Sequence, residues 1–191
     1  MSILSNSSKK RIEYFNPQDE EIYINLGNAI ITMIHEAEGN YSDIIVVCIG
    51  TDRATGDALG PLVGDFLLEN NCTFGVNGTL KYPVHALNLK DTIREIYNEY
   101  SNPFIIAIDA SLGMAKDIGL ITLSNTYIYP GKGVNKKLPA IGDISITGIV
   151  NQSGKPGSML LQNTRLYLVK KMADCIGNAL IYANDYLSSP L

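Results

Sequence analysis

What the chain has little of narrows its chemistry first. Its 191 residues include three cysteines and two histidines. Cys48, Cys72 and Cys175 stand far apart with no CxxC spacing. That argues against a disulfide framework and fits a reducing, cytosolic compartment. Cys48 lies inside Ile44-Ile45-Val46-Val47-Cys48-Ile49, where a small buried hydrophobe is expected. No apolar run approaches the ~20 residues needed to span a bilayer. Met1 to Arg11 carries its basic residues after Ser/Asn-rich sequence and has no apolar segment of the kind a secretory signal needs. A basic surplus is missing too. Fifteen Lys and Arg against 19 Asp and Glu leave a net charge of −4, and the pI is about 5.1. Such a chain lacks the broad electrostatic footprint of a nucleic-acid binder. Neither nucleic acid nor a membrane is expected as a partner.

What is present reads as globular. The composition is 46% hydrophobic and 18% charged, with 17 Gly and 8 Pro, a balance that excludes disorder, collagen and coiled coil. Residues 1–15 read as a flexible polar leader, and 16–191 as a single α/β domain. Asn16 offers an N-cap and Pro17 a first helical position, followed by Ile22, Leu26, Ile30, Met33 and Ile34 at helical spacing. The β-branched run 44–50 predicts a central strand buried on both faces. Leu59 to Leu67 predicts a helix, Thr79 to His85 a strand, and Leu89 to Tyr100 a helix behind Asn88. Phe104 to Ile108 is a second buried strand. Two more strands are expected near 119–124 and 143–149, on either side of the loop 130–142, and one long helix from Met159 to Leu187 closes the chain. Alternation of this kind predicts a three-layer α/β/α domain around a mostly parallel, five-stranded sheet.

Ligands of open α/β sheets bind beyond the carboxyl ends of the strands. Two carboxylates are expected there. Asp57 sits in the turn Gly50-Thr51-Asp52-Arg53-Ala54-Thr55-Gly56-Asp57-Ala58-Leu59-Gly60-Pro61, and Asp109 follows Ile108. Asp57 reads equally well as a helix N-cap. Asp109 is harder to place structurally, since an acid ending an apolar strand is costly when buried without a partner. The turn is no phosphate loop: it has neither GxxxxGK[ST] nor GxGxxG, and its acids would repel phosphate. There is no GxSxG elbow, and Ser111 would need a neighbouring base to act as a nucleophile. His85 ends the expected 79–85 strand and reaches the same edge. With Asp57 and Asp109 it forms the one metal set to weigh, against a structural histidine; no metal or other cofactor is the leading expectation. Two carboxylates in one desolvated site cannot both ionise easily, so one keeps its proton. Such a pair titrates as a unit, and can activate water with one member while donating a proton from the other. Arg53, or the amides of residues 110–114, would stabilise an oxyanion.

The turn together with Ile108-Asp109-Ala110 resembles the spore germination protease superfamily. More closely, the chain resembles the YyaC-type sporulation proteins, from about residue 40 to its end. That resemblance is carried by Pro83-Val84-His85-Ala86-Leu87-Asn88-Leu89, by Gly142-Asp143-Ile144-Ser145-Ile146-Thr147-Gly148-Ile149-Val150 and by Leu161-Gln162-Asn163-Thr164-Arg165-Leu166. It implies a phosphorylase/hydrolase-like fold and an endopeptidase of aspartic type, with Asp57 and Asp109 catalytic; Arg53, Ser111, His85 and Asp143 are expected to bind substrate or support them. A protein or peptide substrate follows, small acid-soluble spore proteins among the candidates, in the cytoplasm or the forespore. The wider fold group includes the hydrogenase maturation proteases, which bind nickel through an added His in a later segment. Here that segment reads Ser145-Ile146-Thr147-Gly148 and has none. A non-catalytic binder of proteins or peptides is the other reading, and a homo-oligomer is left open.

Overall fold

Two aliphatic runs form the centre of the sheet, and everything else is placed by how they are covered. The computed structural model describes residues 10–37, 39–130, 138–154 and 157–189. The elements are β1 (Ile12–Phe15), α1 (Ile22–Glu36), β2 (Asp43–Cys48), α2 (Leu59–Glu69), β3 (Gly75–Asn77), α3 (Leu89–Glu99), β4 (Pro103–Gly113), β5 (Ile121–Ser124), β6 (Ile144–Gln152), α4 (Gly157–Gln162) and α5 (Leu166–Ser188). They build one sheet in the order β1-β5-β6-β4-β2-β3. The β3, β2, β4 and β6 strands run parallel, while β5 and β1 add an antiparallel edge.

Successive side chains of a strand point to opposite faces. On one face, Val46, Cys48, Phe104, Ile106, Ile108, Ile144 and Ile146 pack with Leu26, Ile30, Leu59, Val63, Met172, Ile176 and Leu180 of α1, α2 and α5. The other face holds Ile45, Val47, Ile49, Ile105 and Ala107 under Leu89 and Ile96 of α3. Helix α3 covers only part of this second face. Past Ala107 the same row continues as Asp109 and Ser111 on β4. Beside them stand Ser145 and Thr147 on β6, then Thr122 and Ser124 on β5. One face is sealed by aliphatics; half of the other is lined by oxygen.

Several expectations change. Among the described residues the sheet has six strands, not five, because residues 12–15 of the expected leader form β1. Its pairing with β5 (Ile12↔Ser124 to Phe15↔Ile121) lies far away in sequence, so no local pattern announces it. The expected leader's residues 1–9 lie outside the described residues. Helix α1 starts at Ile22 rather than at Asn16: the Asn16 carboxamide oxygen accepts the Gln18 N–H at 3.0 Å and makes a turn instead. The third strand is Gly75–Asn77, not 79–85. Gly78 turns the chain at φ +102°, and only Val84 returns to bridge Ile49. The closing helix is two helices, broken between Gln162 and Leu166. Finally, β4 runs on to Gly113, so Asp109 and Ser111 lie within the strand, not beyond it. Of the expected loop 130–142, residues 131–137 lie outside the described residues.

Candidate active site

The site exists because β2 stops before β4 does. Pairing between them ends at Cys48↔Ile108. The chain leaves the sheet at Gly50, whose N–H donates to the Val84 carbonyl at 2.8 Å. Gly50 has φ +145°, and a Cβ there would overlap the carbonyl oxygen of Asp57. Glycine is therefore required for the turn to fold back over the strand end. The Thr51 N–H then clamps that same Asp57 carbonyl at 3.0 Å. Asp57 lies in a single 3₁₀ turn, Thr55–Ala58, buttressed by Leu161 and Thr164 against Gly56. It is not the cap of α2. The residue before that helix is Ala58, and no side chain caps its first turn. The carboxylate of Asp57 is thus free to face the space beside β4.

Asp57 and Asp109 line one crevice of ≈ 860 Å³, together with His85, Ser111, Thr147 and Leu161. Burial pushes the Asp57 carboxyl up to about 6, against the downward pull of His85 nearby. Asp109 is raised well above the usual carboxylate range, by burial first and by the charge of Asp57 second. A hydrogen bond from the Ala110 N–H at 2.8 Å opposes that rise without reversing it. The asymmetry has a plain cause. Asp57 ionises first, and while it does so Asp109 is still neutral and adds no opposing charge. As pH rises Asp57 gives up its proton at about 6, and the charge it gains there makes Asp109 hold its own proton more firmly.

The supporting residues divide. Ser111 is in the crevice and donates to Thr147 Oγ1 at 3.2 Å and to the Gly148 carbonyl at 3.3 Å. With its hydrogen committed to β6, and no base bonded to it among the described residues, it is not placed as a nucleophile. His85 is also in the crevice, held by Asn88, whose side chain joins the His85 N–H at 2.8 Å to the Pro83 carbonyl at 2.9 Å. Its Nδ1 accepts the Leu87 N–H at 3.4 Å, and Nε2 is the ring nitrogen without a hydrogen bond among the described residues. Arg53 is exposed in the turn and does not line the crevice. Asp143 is at the wrong end of the sheet: its carboxylate accepts the Ile105 N–H at 2.7 Å. Four residues of strand, about 13 Å, separate that level from Asp109. Asp143 precedes its strand rather than following it, which in a parallel sheet puts it at the other end from Asp57. The amides of 110–114 belong largely to β4 rather than to a loop.

The metal set does not assemble. Among the described residues, no group of three His, Cys, Asp or Glu side chains is close enough to hold an ion. Asp57, Asp109 and His85 line the same crevice without forming such a group.

Sequence reasoning missed the hydroxyl row. Thr147 pairs with Asp109 across β4 and β6, and bonds Thr122 at 2.8 Å. Its signal was the alternation in Ile144-Ser145-Ile146-Thr147 and Ile121-Thr122-Leu123-Ser124, which gives each strand one polar face. It also missed Tyr127 and Tyr129, packed edge to face at 5.3 Å in the lining of the crevice.

Comparison with known proteins gives three findings. Residues 14–179 match the family model described as a protein of unknown function, DUF1256. The uncharacterized protein YyaC of Bacillus subtilis (strain 168) is 45% identical over 176 residues, 91% of this chain and 85% of that one. Among solved structures, the [NiFe] hydrogenase maturation protease HycI from Thermococcus kodakarensis KOD1 is 16% identical. It covers 78% of this chain and 98% of its own, with a TM-score of 0.47.

Proposed function

The chain belongs to the DUF1256 family, and from the chemistry of its crevice we propose that it hydrolyses peptide bonds by an aspartic mechanism. One observation carries the reading: two carboxyl groups from separate segments line one crevice, where burial raises both above the ordinary carboxylate range and the charge of Asp57 raises Asp109 further. Asp57 takes a proton from water as that water attacks the scissile carbonyl carbon, and Asp109 protonates the carbonyl oxygen. As the tetrahedral intermediate collapses, the C–N bond breaks. The amine leaves with the proton from Asp57, and an intermediate hydroxyl returns one to Asp109. Each carboxyl ends as it began. His85 favours the charged form of Asp57, which keeps the base available near neutral pH.

The substrate is a protein, with small acid-soluble spore proteins as the first class to try and the cytoplasm, including the forespore, as the place of action. The test is cleavage of those proteins by the wild type, Asp57→Asn and Asp109→Asn. Asn preserves shape and cannot exchange a proton. Each variant should lose about 10²–10⁴-fold in rate. Cleavage at wild-type rates by both variants would make the acids structural. A wild type that binds these proteins and cleaves none would be a binding module.

A further inference from the structure

The last bond between β2 and β4 runs from the Ile49 N–H to the Ile108 carbonyl, at 2.7 Å. Beyond it, Asp109–Gly113 is paired with β6 alone. Backbone groups of successive residues in a strand point to opposite edges. Ile108 faces β2, and Gly113 accepts the Ser153 N–H on the β6 side at 2.8 Å. Ala110 and Leu112 therefore turn their N–H and C=O groups toward the side β2 has vacated. Asp109's own carboxylate takes the Ala110 N–H. No turn, loop or side chain among the described residues is bonded to the Ala110 carbonyl or to the Leu112 N–H and C=O.

Exposure changes at the same point. Every residue of β4 from Pro103 to Ile108 is buried, and every residue from Asp109 to Gly113 is partly exposed. A strand open on one face alone would expose alternate residues; here consecutive ones are exposed, including Ala110 and Leu112, which pack against the core on the closed face. The crevice is accordingly lined by Asp109, Ala110, Ser111 and Leu112 in unbroken succession. An open edge of this kind is a template for another strand.

Deepening the peptidase reading on which it rests, we propose that the substrate is an unfolded, extended stretch of polypeptide that pairs with the β4 edge at Ala110–Leu112. Pairing there lays its backbone beside Asp109 and opposite Asp57. Recognition is by main-chain hydrogen bonds, so it selects unfolded chain over any one side chain.

The experiment uses fluorescein-labelled denatured casein as the probe, bound to the Asp57→Asn protein so that cleavage does not interfere. Leu112→Ala and Leu112→Pro are compared in that background. Both lose the leucine side chain, but only proline loses the N–H, and proline is tolerated on an unpaired strand edge. One hydrogen bond predicts casein binding about two- to tenfold weaker for Leu112→Pro than for Leu112→Ala. Amide exchange on the protein with Leu112 intact gives a readout that needs no Leu112 variant to fold. The Leu112 N–H should exchange quickly alone and slowly with casein. Equal binding by the two variants, no saturable binding, or a Leu112 N–H already protected would overturn the proposal. Its failure is separable from that of the peptidase reading. Asp57-dependent cleavage that is equal in Leu112→Pro and Leu112→Ala rejects edge pairing alone. Weakened binding in Leu112→Pro, with no cleavage by the wild type, supports edge pairing and rejects the peptidase.

Discussion

From Pro103 to Ile108, β4 is bonded along both edges and buried on both faces; from Asp109 to Gly113 it is bonded along one edge and partly exposed throughout. The first half carries Phe104, Ile105, Ile106, Ala107 and Ile108, and the second an acid, a serine and a glycine. The same strand thus supplies stability at one end and chemistry at the other. What changes between the halves is the neighbour: β2 turns away at Gly50, and the turn that follows folds back over the strand end and carries Asp57 to the crevice beside the open edge of β4. Burial alone would make Asp109 a liability. Beside a second carboxyl that ionises first, it becomes a retained proton.

The contrast predicts different failures in the two halves. In the second, Asp109→Asn, like Asp57→Asn opposite it, should cost about 10²–10⁴-fold in cleavage and leave the chain folded, with no loss of melting temperature. In the first, Ile106→Ala should do the reverse. Ile106 is fully buried in the core shared with α1, α2 and α5. Truncation should cost about 2–5 kcal/mol, read by denaturant unfolding. Turnover per folded molecule should stay native. If Ile106→Ala silenced folded protein, or Asp109→Asn unfolded the chain, the division of labour along β4 would be wrong.

A smaller effect sharpens the same division through pH. The Asp57 carboxyl ionises at about 6 in the folded chain against an ordinary 3.8. The folded state therefore holds the extra proton between those values. That stabilisation is complete below about pH 4 and is lost as pH rises through 6. Asp57→Asn has no proton to lose. The melting temperature of the wild type should fall relative to this variant between about pH 4 and pH 6, and the gap should then level off until Asp109 begins to titrate. A constant gap across that range would mean that Asp57 is not desolvated in the crevice.

Much of this was legible in the residues. The β-branched runs located β2 and the buried half of β4, and the two acids followed from where those runs ended. What could not be read was anything set by distant partners. The strand character of Ile12–Phe15 depends on β5, more than a hundred residues on. The continuation of β4 through Asp109 depends on β6, which supplies its ladder there. Composition favoured ending the strand where the apolar residues ended, and hydrogen bonding carried it further. Asp143 shows the converse. Its sequence neighbourhood matched the resemblance, yet it precedes its strand, and in a parallel sheet that puts it at the opposite edge from Asp57.

The central claim is that Asp57 and Asp109 share one electrostatic environment. NMR titration of their side-chain carboxyl carbons tests it most directly, in the wild type and in Asp57→Asn. Asp57 should titrate at about 6, while Asp109 remains protonated well beyond the usual carboxylate range. Removing the charge of Asp57 should move the Asp109 transition downward, though burial will still hold it above an ordinary aspartate. Two independent transitions near 3.8, with Asp109 indifferent to the substitution, would contradict the account and leave the crevice without its acid and its base.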